Sequence, residues 1–96
     1  MRTMIKASIP VEAGNAGIAN GDLPAVIQGF TQSAKPEAAY FTAIDGRRTM
    51  IAVFDLASPS DIPRIAEPFF TKLNATVEFS PCMNADDLAR GLSALG

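Results

Sequence analysis

A chain of 96 residues is long enough for one domain (1–96) with one modest hydrophobic core, and it contains no linker or internal repeat. Its hydrophobic content of 48% is typical of a globular domain, and its net charge of −2 excludes binding of nucleic acid or anionic lipid through a basic patch. The absence of histidine excludes Ser-His-Asp and Cys-His catalysis and any zinc or haem held by histidine.

The cysteine content and the first residues bear on the compartment. Cys82 is the only cysteine, so no disulfide can form within the chain, and a reducing environment is expected. The N-terminal residues lack the apolar run of a signal peptide, and no stretch approaches the roughly 18 apolar residues of a membrane span. We therefore expect a soluble, cytoplasmic protein.

The first predicted element is a strand, and a glycine-rich stretch follows it. Residues 4–11 alternate between apolar and polar side chains, which predicts a strand with unlike faces. The stretch GNAGIANGDLP (14–24) has neither the spacing of a Walker loop nor that of a dinucleotide fingerprint, and no Lys or Arg lies between residues 7 and 34. We expect a loop with about one helical turn, able to act as a mobile lid over one end of the sheet.

Three helices are predicted from apolar spacing and capping residues. The first covers 23–33 with Asp22 as its N-cap, and the second covers 58–74. A third, short helix begins after the N-cap Asn84. Its apolar stripe consists of Leu88, Leu92 and Leu95.

The clearest local signal is a hairpin between the first two helices. Two β-rich runs flank Asp45-Gly46, a pair typical of a two-residue type I′ turn. That turn pairs Tyr40 with Ile51, whereas a three-residue loop with a bulge places Tyr40 opposite Met50. The pair Arg47-Arg48 follows the turn and is expected either to charge an exposed end of the sheet or to engage an acidic partner.

A strand over 75–81 completes the order β-α-β-β-α-β, to which the extra C-terminal helix is added. This order is typical of the ferredoxin-like sandwich, an α+β fold. Right-handed crossovers then predict an antiparallel sheet with strand order 4-1-3-2 and both long helices on one face.

The strand after the hairpin turn is apolar on both faces. Met50, Ala52 and Phe54 point to one side, and Ile51 and Val53 point to the other. Monomers seldom leave an apolar patch larger than roughly 300–600 Å² exposed, so both faces should be covered. We therefore predict a homodimer in which two sheets pack face to face.

These features are similar to those of the dimeric α+β-barrel superfamily. The resemblance rests on the element order, the two-faced apolar strand and the run IPVEAGN…LPAVIQ…PEAAYFTAIDGRRTMIAVFDL…IAEPFF…ATVEFSPCMNADDL, and it is strongest with small uncharacterised bacterial proteins. It implies a dimeric barrel. Characterised members of that superfamily include cofactor-independent quinol monooxygenases, muconolactone isomerase and haem-binding chlorite dismutase-like proteins. Their ligands lie between the helices and the sheet or within the barrel. Their catalytic residues have no counterparts that can be assigned in this chain.

The sheet face opposite the helices, which we call the open face, is the first candidate site. With the two-residue turn it carries Lys6, Ser8, Tyr40, Thr42, Thr49, Ile51, Val53, Asp55, Glu78 and Ser80. A small ligand is expected to contact Ser8, Tyr40, Thr42, Ile51, Val53 and Ser80. A pocket between the 23–33 helix and the sheet is the alternative, and no metal or cofactor is expected.

Lys6, Glu78 and Tyr40 are the candidates for catalysis. Strands 1 and 4 are neighbours in the predicted order, so Lys6 and Glu78 form either an acid–base pair or a structural ion pair. The Tyr40 hydroxyl is placed either to orient a substrate or to end a packing contact. Three functions stay open: a small-molecule binding protein, a cofactor-independent monooxygenase or isomerase, and a dimeric interaction or regulatory module.

Overall fold

The structure, a computed structural model, describes residues 1–96 and contains four strands and four α-helices. In chain order they are β1 (Arg2–Ile9), α1 (Val11–Asn20), α2 (Asp22–Ala34), β2 (Ala38–Ile44), β3 (Arg47–Asp55), α3 (Ile62–Leu73), β4 (Thr76–Pro81) and α4 (Ala85–Ser93). A 3₁₀ turn, Pro59–Asp61, precedes α3. No helix combines the length and the apolar character that crossing a membrane requires.

The four strands form one antiparallel sheet in the order β2-β3-β1-β4. This is the predicted order 4-1-3-2, read from the opposite edge. The protein therefore has an α+β architecture, and its sheet is consistent with a ferredoxin-like fold.

The turn between β2 and β3 has the two-residue form. Asp45 and Gly46 have φ angles of 54° and 73°, in the left-handed region that a type I′ turn requires at both positions. Tyr40 consequently pairs with Ile51, and Thr42 pairs with Thr49. The predicted register is confirmed, and the bulged alternative is wrong.

The core lies between one face of the sheet and the helices α2 and α3. Its buried side chains are Ile5, Ala7, Ile9, Val26, Phe30, Met50, Ala52, Phe54, Ile65, Phe69, Leu73 and Ala75. At its centre, the ring of Phe30 meets Phe54 edge-on with centroids 5.8 Å apart, and Phe69 at 6.1 Å. The sheet face that carries Ile5, Met50 and Phe54 thus packs against the helices, and no helix covers the open face on the other side.

Residues 14–20 of the glycine-rich stretch belong to the helix α1, so the predicted loop is wrong there. Gly14 and Gly17 are buried because α1 packs closely on the body. A Cβ atom on Gly17 would lie 2.9 Å from Leu73 Cδ2, closer than a carbon–carbon contact allows. The glycines lower helix propensity but permit this close approach, and packing outweighs propensity here.

Of the two predicted N-caps, Asn84 is confirmed and Asp22 is wrong. Asp22 is the first residue of α2 and makes no side-chain cap; instead, Asn20 Oδ1 accepts a hydrogen bond from the Asp22 N–H at 2.8 Å. Asn84 caps α4 as predicted. Its side chain accepts from the Asp87 N–H at 2.8 Å, and the Asp87 carboxylate accepts from the Asn84 N–H at 3.1 Å.

Candidate functional site

The open face carries three rows of side chains that run across the four strands. The middle row is Tyr40, Ile51, Lys6 and Glu78; the flanking rows are Ala38, Val53, Met4 and Ser80, and Thr42, Thr49, Ser8 and Thr76. Every residue predicted for ligand binding or catalysis therefore lies on this one face. The large apolar side chains of this face, Met4, Ile51 and Val53, lie on the two central strands, β1 and β3.

The three catalytic candidates lie in the middle row of the open face, with no ion pair between them. Lys6 and Glu78 are cross-strand partners, but they form no ion pair with each other. Neighbouring strands lie about 4.8 Å apart, so about 14 Å separates Tyr40 from Glu78. Tyr40 is 72% exposed.

The largest cavity lies on the other side of the sheet, between α2 and strands β2 and β3. We call it the α2–sheet cavity. It has a volume of about 620 Å³, which is within the range of small-molecule pockets. It is lined by Ile9, Leu23, Pro24, Ile27, Gln28, Phe41, Thr42, Arg48, Thr49, Met50 and Phe69. Its position corresponds to the alternative predicted pocket, between the 23–33 helix and the sheet.

The α2–sheet cavity exists because the helices leave the outer strand β2 uncovered. Phe41 points to the helix side of β2 and is nevertheless exposed, whereas its cross-strand partner Met50 is buried. Leu23 and Ile27 of α2 form the opposite wall. The result is an open, almost entirely apolar cleft, which favours a ligand with an apolar body.

Arg48 is the one charged residue that lines the α2–sheet cavity. The side chain is half-buried, and its guanidinium donates hydrogen bonds to Asn15 Oδ1 at 3.0 Å and to the Val11 carbonyl at 3.4 Å. It forms no ion pair with any carboxylate of the chain. These two hydrogen bonds use two of the five N–H donors of the guanidinium. The arrangement can hold an anionic group at one end of an apolar cleft.

The helix α1 makes room for the Arg48 side chain. A Cβ atom on Gly14 would collide with Arg48 Nη1, so the position of the guanidinium depends on glycine there. The expectation that both arginines charge an exposed end is wrong for Arg48, although Arg47 is exposed. The alternation of β3 contained the missing signal, because it places Arg48 in line with the core residues Met50 and Ala52.

Comparison with known proteins does not assign a family to this geometry. No protein-family model matches the chain, and no curated protein is significantly similar to it. Membership of the dimeric α+β-barrel superfamily stays a hypothesis. The observed strand order is consistent with it.

Proposed function

We propose that the protein binds a small molecule with an apolar body and an anionic group, such as an aromatic or alkyl carboxylate, in the α2–sheet cavity. The observation that carries this proposal is the half-buried residue Arg48, which lines an apolar cavity and has no carboxylate partner. The cavity removes the apolar body of the ligand from water, at about 25 cal/mol per Å². Arg48 then selects an anionic over a neutral end group.

We further propose that two copies assemble through their open faces, as a dimeric α+β barrel. Met4, Ile51 and Val53 form an apolar surface there that no helix of the same chain covers. Lys6 and Glu78 carry opposite charges and lack ion-pair partners within the chain, so each is free to pair with the opposite charge of a second copy across a two-fold axis.

The predicted open-face site belongs to this assembly. In a dimer, Ser8, Tyr40, Thr42 and Ser80 would border the space between the two sheets, which is a second position for a ligand. A cytoplasmic location is part of the same proposal and is supported by the single free thiol of Cys82.

Arg48→Gln is expected to weaken the binding of 2-naphthoate about 10-fold or more, measured by isothermal titration calorimetry. A hydrogen bond to a charged group contributes about 1.5–3 kcal/mol, and about 1.4 kcal/mol corresponds to tenfold in affinity. Arg47→Gln is the matched control, because it removes the same charge from the neighbouring, exposed residue. Its affinity should stay within about twofold of the wild-type value.

Two results would contradict the proposed site. One is an Arg48→Gln variant that binds 2-naphthoate as tightly as the Arg47→Gln control. The other is a wild-type protein that binds none of a panel of carboxylates whose apolar bodies fit the α2–sheet cavity.

A further inference from the structure

The C-terminal helix α4 is amphipathic, and no residue of it is buried against its own chain. Its apolar stripe, defined as Leu88 and Leu92, is 45% and 58% exposed, and Leu95, two residues beyond the end of the helix, is 83% exposed. The molecule measures 54 × 28 × 17 Å, and its radius of gyration is 15.0 Å. A compact chain of this length has a radius of gyration of about 12.5 Å. The shape is that of a compact body with a projecting arm.

The first turn of α4 is tied to the rim of the open face through Arg2. Along β1, Arg2 lies on the same face as Met4. Its Nη1 bonds Asp87 Oδ2 at 3.2 Å, and its Nε bonds Glu37 Oε1 at 2.7 Å. The hydrogen bond to Glu37 and the charge of that carboxylate raise the pKa of Arg2 above its ordinary value. The arm therefore begins beside the surface through which we propose that two copies meet.

We propose that the apolar stripe of α4 packs on a second copy of this chain, so that two arms exchange across the two-fold axis. This inference rests on the proposed open-face dimer. A standard protein–protein interface buries about 800 Å² of accessible surface per partner, so apolar surface next to the open face adds to the area that two copies can bury. The nine residues of α4 span about 14 Å and extend the apolar contact beyond the sheet.

A lipid surface is a poorer occupant for this stripe than a second copy. The polar side of α4 carries Asp86 and Asp87 against a single cation, Arg90. Helices that lie on anionic membranes carry Lys and Arg on their polar side. The acidic polar side of α4 would be repelled by anionic lipid.

A pair of double variants in the full chain tests the arm. Leu88→Lys with Leu92→Lys places two charges on the stripe, and Ala89→Lys with Ser93→Lys places the same charges at the same spacing on another side of α4. Sedimentation equilibrium should give a dimer dissociation constant raised about 100-fold or more for the stripe variant. The control should stay within about threefold of the wild-type value.

Hydrogen exchange distinguishes packing on the partner from packing on the same chain. A nine-residue helix is marginal in water by itself, so its amides should be protected only in the dimer. Protection of the α4 amides should therefore disappear when the wild-type protein is diluted below its dissociation constant. Protection that persists in the monomer would overturn the inference.

The remaining outcomes separate this inference from the proposals on which it rests. A stripe variant that dimerises as tightly as its control overturns the arm and leaves the open-face dimer standing. A wild-type protein that is monomeric at millimolar concentration overturns both. Titration of 2-naphthoate into the same samples reports on the α2–sheet cavity independently, because that cavity is complete within one chain.

Discussion

Phe54→Ala is expected to lower the free energy of unfolding by about 4 kcal/mol. Phe54 is 1% exposed, and its ring meets Phe30 and Phe79 edge-on at centroid distances of 5.8 and 6.4 Å. The Phe54 ring, on β3, contacts side chains of both α2 and β4. Truncation of this ring therefore leaves a cavity that the rigid sheet cannot close. Because domains of this size are stable by about 5–15 kcal/mol, the variant should unfold at a much lower urea concentration.

Urea unfolding followed by circular dichroism, at one fixed protein concentration, measures this loss. Phe70→Ala is the matched control, because Phe70 belongs to α3 and is 43% exposed. Its truncation should cost about 1 kcal/mol. Equal losses for the two variants would contradict the position of the core between β3 and α2.

Ile51→Lys is expected to convert the proposed dimer into a monomer, with a dissociation constant raised about 1000-fold or more. Ile51 occupies the middle row of the open face, between Tyr40 and Lys6. Its replacement removes apolar contact and brings a second cation beside Lys6. Because the interface is two-fold symmetric, each substitution acts twice.

Light scattering over a range of concentrations gives the native mass of this variant. Ile18→Lys makes the same chemical change at an exposed isoleucine of α1, away from the open face. The Ile18→Lys protein should associate like the wild type. If Ile51→Lys associates like the Ile18→Lys control, the open face is not the interface.

The sheet was predictable because the signals that define it are local. Asp45 and Gly46 form a residue pair with an intrinsic preference for positive φ angles. The two-residue turn that they form determines which residues of β2 and β3 face each other. The period of two then assigns every strand residue to a face. The pairing of Tyr40 with Ile51 follows from these two facts, whereas the alignment of Lys6 with Ile51 depends on the long-range pairing of β1 with β3.

The helix α1 was not predictable, because tertiary contacts decide it. Each glycine costs a helix about 1 kcal/mol, so the sequence around Gly14 and Gly17 favours a loop. The compensating contacts come from Arg48 and Leu73, which lie far along the chain. Local propensity does not contain that information.

The α2–sheet cavity was predictable in position but not in chemistry. Its existence depends on how far α2 extends over β2, which spacing patterns do not specify. The partners of Arg48 depend on α1, because Asn15 and Val11 reach the guanidinium only when this segment is helical. The alternation of β3 indicates the face on which Arg48 lies, but its hydrogen-bond partners could not be predicted without α1.

The central claim is that an anion binds in an apolar cavity bordered by Arg48, and a calorimetric comparison of two ligands tests it most directly. Titration of 2-naphthoate and of the uncharged 2-naphthalenemethanol into the wild-type protein keeps the apolar body nearly constant and changes the charge of the end group. The carboxylate should bind about 10-fold or more tightly than the alcohol, because only the carboxylate accepts charge-assisted hydrogen bonds from Arg48. Equal affinities, or no binding of either compound, would contradict the claim.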